Sequence, residues 1–125
     1  MYSGVISIFS ERIKKGRPIT IYGDGEQTRD FVNVADVVQA NLLAMQGDLP
    51  KVNKVFNVAT GKQISLLSLL STLERLFDVT IERKFASARA GDIKHSGADI
   101  SKAWKVLGYQ PKGGLHEGLL KLIRN

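Results

Sequence analysis

The sequence predicts one small mixed α/β domain in which helices outnumber strands. Three observations carry this. Apolar residues recur at helical spacing in several stretches, most clearly Leu66, Leu69, Leu70, Leu73, Leu76 and Phe77. Short runs of β-favouring residues lie between glycine-rich turns. Finally, 125 residues with 43% hydrophobic content suffice for one modest core.

The first element is a helix: Ser3 reads as its cap, Val5, Ile6, Phe9 and Ile13 share a face, and Gly16 and Pro18 end it. The basic cluster Arg12, Lys14, Lys15 and Arg17 closes that helix, where positive charge suits the helix dipole. Residues 19–22 form a short strand before Gly23-Asp24-Gly25, and residues 29–34 alternate as a second strand beyond the turn. Asn33, with Asp36 three residues on, reads as a capping box and opens an apolar helix to about Met45. Residues 47–53, with Pro50, read as a loop, and residues 55–59 as a strand. Ser65 caps the strong Leu-rich helix. Residues 80–85 alternate as a further strand, and 86–97 are a polar loop. Asp99 caps a short helix stopped by Gly108, and Leu115, Leu119, Leu122 and Ile123 mark a final helix.

Composition narrows the function classes. No run of eighteen apolar residues occurs, and the N-terminal residues lack a secretory pattern, so neither a membrane partner nor export is expected. The absence of cysteine removes disulfides and thiolate metal sites and fits a cytoplasmic protein. A formal charge of +6 is compatible with nucleic acid or a phosphorylated small molecule. Basic residues are spread along the chain, however, and aromatic residues such as Phe9, Phe77 and Trp104 sit at core-like positions, so a nucleic-acid partner is not expected.

Few residues carry the pattern of chemistry. Gly23-Asp24-Gly25-Glu26-Gln27-Thr28 has the first two glycines of a dinucleotide fingerprint, but Thr28 replaces the third and no helix pattern begins there. It reads as a tight turn between strands. His95 and His116 lack partners at metal-ligand spacing. Tyr109-Gln110-Pro111-Lys112 puts lysine three residues after tyrosine and so is no Tyr-x-x-x-Lys acid–base pair. Arg29 and Arg89 stand out beside small residues and carboxylates: guanidinium forks suit phosphate oxygens, and a carboxylate such as Asp92 can accept from a sugar hydroxyl.

The stretch Tyr22-Gly23-Asp24-Gly25-Glu26-Gln27-Thr28-Arg29-Asp30-Phe31-Val32-Asn33-Val34-Ala35-Asp36-Val37 resembles a Y-G-D-G-x-x-x-R-D-F-V-x-V-x-D-V segment of the extended short-chain dehydrogenase/reductase family, which includes NAD-dependent epimerases and dehydratases. Phe56-Asn57-Val58-Ala59-Thr60-Gly61, Arg89-Ala90-Gly91-Asp92, Ala98-Asp99-Ile100-Ser101-Lys102-Ala103 and Leu107-Gly108-Tyr109 resemble its later motifs, in the expected order. Ser7 and Ala90 stand where many relatives have proline. Within the family the likeness is to UDP-glucose 4-epimerases, with dTDP-glucose 4,6-dehydratases and UDP-glucuronate decarboxylases as near cousins.

The resemblance implies that residues 1–125 are the C-terminal, substrate-binding portion of a Rossmann-type enzyme, without the N-terminal portion that binds NAD and carries the catalytic residues. NAD is then a cofactor of the parent enzyme and is not bound by this chain alone, which is expected to be inactive. The implied ligand is a nucleotide sugar, a UDP-hexose or UDP-N-acetylhexosamine. By this likeness Arg29 and Arg89 hold the diphosphate, Asp92 the ribose hydroxyls, Thr20 and Tyr22 the base, and Val5 lines the cleft. The other partners implied are the N-terminal Rossmann domain and further copies of the chain in a homo-oligomer. An isolated piece would leave the second helix and residues 55–59 without their main partner.

Overall fold

The computed structural model describes residues 4–47 and 55–124, and the elements run α1 (Val5–Lys14), β1 (Ile19–Tyr22), β2 (Thr28–Arg29), α2 (Val34–Gln46), β3 (Ile64–Ser65), α3 (Leu66–Phe77), β4 (Arg83–Ala86), α4 (Ser101–Leu107) and α5 (Leu115–Arg124). With five helices and four short strands, the described residues form the mixed α/β domain read from the sequence. β1 pairs in parallel with β4, Ile19 opposite Arg83 and Tyr22 opposite Ala86, while β2 pairs antiparallel with β3. Thus the two strands flanking the glycine turn belong to different sheets and make no hairpin.

The main core forms where α1, α3 and α5 close over one face of β1. Strand alternation points Ile19 and Ile21 inward, each 1% exposed, against Phe9, Ile13, Leu69, Leu70, Leu73 and Leu119. Each fully buried side chain of this size contributes about 1.5–3 kcal/mol of transfer free energy. The same alternation leaves Thr20 and Tyr22 on the opposite, outward face. Ala40, Ala103 and Tyr109 form a smaller core between α2, α4 and the segment after α4.

Helix ends follow local chemistry. Ser65 Oγ accepts from the Ser68 amide at 3.2 Å, Asn33 Oδ1 accepts from the Ala35 amide at 2.9 Å, and Gly108 ends α4 with φ +69°. The N-cap of α4 is Ile100 rather than the expected Asp99, which stands one residue earlier and accepts from the Ser101 amide at 2.8 Å; hydrogen bonding from the Ser101 side chain and amide holds the Asp99 carboxyl below the ordinary range. The N-cap of α1 is Gly4, while the expected cap Ser3 lies outside the described residues, as do residues 48–53 of the expected loop.

Four further expectations are corrected. The second strand, read over 29–34, is confined to Thr28–Arg29. The Asp30 carboxylate takes the amides of Thr60 and Gly61 at 2.9 and 2.8 Å, diverting the chain from a ladder toward α2. Residues 55–59 form no strand; their contacts run to side chains instead, with Lys102 Nζ donating to the Val55 carbonyl and Tyr109 Oη to that of Ala59, each at 2.8 Å. Asp36 does not close a capping box: 2% exposed, it accepts from the amides of Lys112 and Gly113 at 2.9 and 3.0 Å and fastens α2 to the turn before α5. Trp104 is no core residue at 53% exposure, because Ala103 takes the inward position of α4.

Candidate functional site

A cleft of about 1140 Å³ opens along the outward face of β1, enough room for a nucleotide-sized ligand. Its lining includes Val5 of α1, Thr20 and Tyr22 of β1, Arg29 of β2, and Arg89 and Asp92 of the loop after β4, so all six residues singled out from the sequence meet in one place. They converge because β1 and β4 lie side by side in parallel, which brings the turn after β1 and the loop after β4 to the same end of the sheet. The ladder extends past both strands, with Gly23 N donating to Ala86 O at 2.9 Å.

The two arginines are held differently. Arg29 Nη2 pairs with Asp92 Oδ1 at 2.7 Å, and its Nη1 donates to the carbonyls of Thr28 and Ile93 at 2.8 and 2.6 Å. Three of the five guanidinium N–H donors are thereby committed, which leaves two for a ligand. With both partners of the pair roughly one-third exposed, its main effect is to fix the loop, since water screens much of its attraction. Arg89 has no carboxylate partner among the described residues; its guanidinium carbon lies 3.9 Å from the Tyr22 ring centroid. β2 is further tied to the loop from both sides, Thr28 N donating to Lys94 O at 2.8 Å and Ser96 N to Thr28 O at 3.1 Å.

Sequence reasoning missed other lining residues: Gln27, Asp30, Phe31 and Leu122. Gln27 is 7% exposed, its Nε2 donates to the Tyr22 carbonyl at 2.7 Å and lies 3.5 Å from Asp92 Oδ2, and its Oε1 has no hydrogen-bond partner among the described residues. Its place between a glycine turn and an arginine was the available signal. Leu122, read only as one of the residues marking the final helix, is 58% exposed and lines the cleft. A second groove, at the C-terminal end of α3, is lined by Glu74, whose carboxylate is already spent on Arg83 and the Ile81 amide. His95 and His116 are exposed, and among the described residues no cluster of three His, Asp or Glu side chains could hold a metal. No helix is long and apolar enough to cross a membrane among those residues.

Comparison with known proteins now bears on this geometry. Residues 1–59 match the model of the NAD dependent epimerase/dehydratase family. Over 121 residues the chain is 39% identical to a UDP-glucose 4-epimerase of Mycolicibacterium smegmatis, covering 97% of this chain and 38% of that protein. Over these spans the chain is similar to members of the NAD dependent epimerase/dehydratase family. Among solved structures, the UDP-glucose 4-epimerase of Thermotoga maritima with UDP-glucose superposes with a TM-score of 0.88 at 41% identity, covering 98% of this chain and 38% of that one. The UDP-glucuronic acid 4-epimerase of Bacillus cereus, in complex with UDP-glucuronic acid and NAD, gives 0.89 at 30% identity over 98% of this chain and 40% of its own. The chain therefore spans less than half the length of these relatives, and its mixed α/β architecture is theirs.

The glycine turn does not fit NAD. It leads into β2 rather than into a helix of its own, the amides of Leu66 and Leu67 at the start of α3 are already spent on the Gln27 and Gly25 carbonyls at 3.2 Å each, and a Cβ placed on Gly25 would lie 2.7 Å from Leu67 Cγ. Its glycines serve a turn packed on the core. Nor do Tyr109 and Lys112 act as an acid–base pair, because Tyr109 is fully buried with its hydroxyl donating to Ala59 O at 2.8 Å. Burial, reinforced by the charges of Asp36 and Asp30, pushes this phenol above its ordinary range.

Proposed function

We propose that this chain supplies the nucleotide-diphosphate site of an NAD-dependent nucleotide-sugar 4-epimerase acting on a UDP-hexose. The observation that carries the reading is the meeting of Arg29, Arg89, Asp92, Tyr22, Thr20 and Val5 around one cleft. In this proposal the two free N–H donors of Arg29 and the guanidinium of Arg89 hold the diphosphate by charge-assisted hydrogen bonds. Asp92, already oriented by Arg29, accepts from the ribose hydroxyls. The Tyr22 ring and the outward edge of β1 at Thr20 pack the base, and Val5 closes the cleft with an apolar wall.

The role is one of positioning: fixing the nucleotide end presents the hexose in one orientation and converts a bimolecular encounter into a local one. Oxidation and reduction of the sugar are what NAD contributes in such enzymes, and no step of that chemistry falls to residues of this chain. The cofactor-binding portion is a partner in the proposal. It would cover the exposed apolar side chains of α2, among them Val38, Leu42 and Met45, and further copies of the chain would complete a homo-oligomer.

Calorimetric titration of the 125-residue chain with UDP tests the reading. Saturable binding is expected, and Arg89→Ala should weaken it by about 1.5–3 kcal/mol, the range for hydrogen bonds to charged groups. Arg29→Ala should weaken it similarly and also free the loop that Asp92 anchors. Equal UDP affinity in wild type and the Arg89 variant would place the diphosphate elsewhere. No conversion of UDP-glucose is expected when the chain is supplied with NAD, and measurable turnover would overturn the assignment of chemistry to other residues.

A further inference from the structure

The Arg89 side chain rests against an aromatic ring. The guanidinium carbon stands 3.9 Å from the Tyr22 ring centroid, which is stacking contact on the ring face. That ring projects on the cleft side of β1 and is 37% exposed. The approach of loop to ring is set by backbone: Gly23 N donates to Ala86 O at 2.9 Å, and a Cβ at Gly23 would lie in ordinary contact, 3.6 Å, from Ala88 Cβ. Arg29 is committed to Asp92, Thr28 and Ile93, whereas among the described residues Arg89 contacts the ring and no carboxylate.

We infer that Arg89 makes the cleft selective for nucleoside diphosphates over bare nucleosides, by covering the Tyr22 ring until an anion draws it away. The inference rests on the nucleotide-diphosphate reading and deepens it. A planar base that packs on this face must displace the guanidinium, losing a cation–ring contact worth about a two- to fivefold change in affinity at an exposed site. A ligand carrying a diphosphate offsets that loss, because the released guanidinium then forms charge-assisted hydrogen bonds to phosphate oxygens, which are stronger than the ring contact. A bare nucleoside offers nothing in return and sends the cation back to water. One side chain thereby opposes binding of half the ligand and favours binding of the whole.

The test compares uridine and UDP on wild type and Arg89→Ala by amide chemical-shift titration, with far-UV circular dichroism confirming that the variant is folded. The expected result has opposite signs: UDP binding weakens by roughly tenfold or more, the range for charged hydrogen bonds, while uridine binding tightens about two- to fivefold. Uridine affinity unchanged or weakened in the variant overturns the inference and leaves Arg89 a phosphate ligand only. Failure of UDP to bind the wild type overturns the nucleotide-diphosphate reading itself, and this inference with it. A measurement without mutation adds a second check. Ring currents of Tyr22 should shield the Arg89 δ-methylene protons in the free chain, and saturation with UDP should return them to ordinary positions; unmoved resonances at saturation overturn the displacement.

Discussion

Gly25 and Gly91 share a φ of +79°, and each serves a turn beside the cleft, one following β1 and the other following β4. Around Gly25 there is no space: Leu67 Cγ and Cδ2 would lie 2.7 and 2.9 Å from an added Cβ, and the Gly25 carbonyl accepts from the Leu67 amide at 3.2 Å. An added Cβ on Gly91 would meet nothing within 4 Å, and polar contacts do much to hold the loop, chiefly Arg29 with Asp92 and with the Ile93 carbonyl. The same torsion thus marks one turn that is an extension of the core and one that hangs on groups a ligand can compete for. A site built this way has one rigid wall and one adjustable wall.

The sharpest way to break the comparison is Gly25→Ala. The substitution combines a left-handed backbone, costing about 1–2 kcal/mol for an L-residue, with overpacking against Leu67, costing about 1–3 kcal/mol. A loss of about 2–4 kcal/mol in urea unfolding is expected from their sum, partial relaxation included. A variant as stable as wild type would mean that the turn after β1 is no more fixed than the loop opposite.

A smaller effect should come from Tyr109→Phe, which tests whether the second core stiffens the chain as the first does. Removing the hydroxyl leaves the Ala59 carbonyl, in a residue 6% exposed, without its 2.8 Å donor, at a cost of about 1–2 kcal/mol. The pH dependence adds a signature. Because burial raises the Tyr109 phenol above its ordinary value of 10.0, the folded state holds this proton more tightly than the unfolded chain does. Its contribution is fully present below about pH 10 and is lost as pH rises through the folded value. Subtracting the stability curve of the Phe variant from that of wild type should therefore give a difference that shrinks only in alkali; a difference constant to about pH 11 would remove the raised phenol.

The comparison also explains what the sequence could and could not reveal. Leu69, Leu70 and Leu73 were legible because helical spacing and burial have one cause, whereas residues 19–22 were legible only as a short strand, and the alternation that turns Ile19 and Ile21 inward came with the structure. Arg29, Arg89 and Asp92 were singled out through a long motif in fixed order, and the parallel pairing of β1 with β4 brings them to the lining of one cleft. Asp30 and Asp36 were misjudged, one as part of a strand and the other as a local cap. Their hydrogen-bond partners lie 30 and 76 residues away in sequence, and no local pattern encodes so distant a donor. Residues 55–59 were read as a strand from composition, yet a strand needs a ladder, and the described residues give them side-chain donors instead.

The smallest expected effect, and the one that probes the adjustable wall alone, is Gly91→Ala. With open space around the position, the only cost is the left-handed torsion, about 1 kcal/mol, and the exposed loop can relax part of it by turning toward a negative φ. Urea unfolding should thus register little, because the core under α1, α3 and α5 takes no part in the change. The relaxation should be felt in the cleft instead, since the Asp92 amide donates to Arg89 O at 3.1 Å across this turn and a new torsion shifts Arg89 and Asp92 relative to each other. UDP affinity is expected to fall by more than stability does when both are expressed as free energy, the reverse of the order for a core substitution. Parallel urea and UDP titrations of this one variant decide it: a stability loss of about 2 kcal/mol or more with UDP affinity intact would mean that the loop after β4 is built into the fold as firmly as the turn at Gly25.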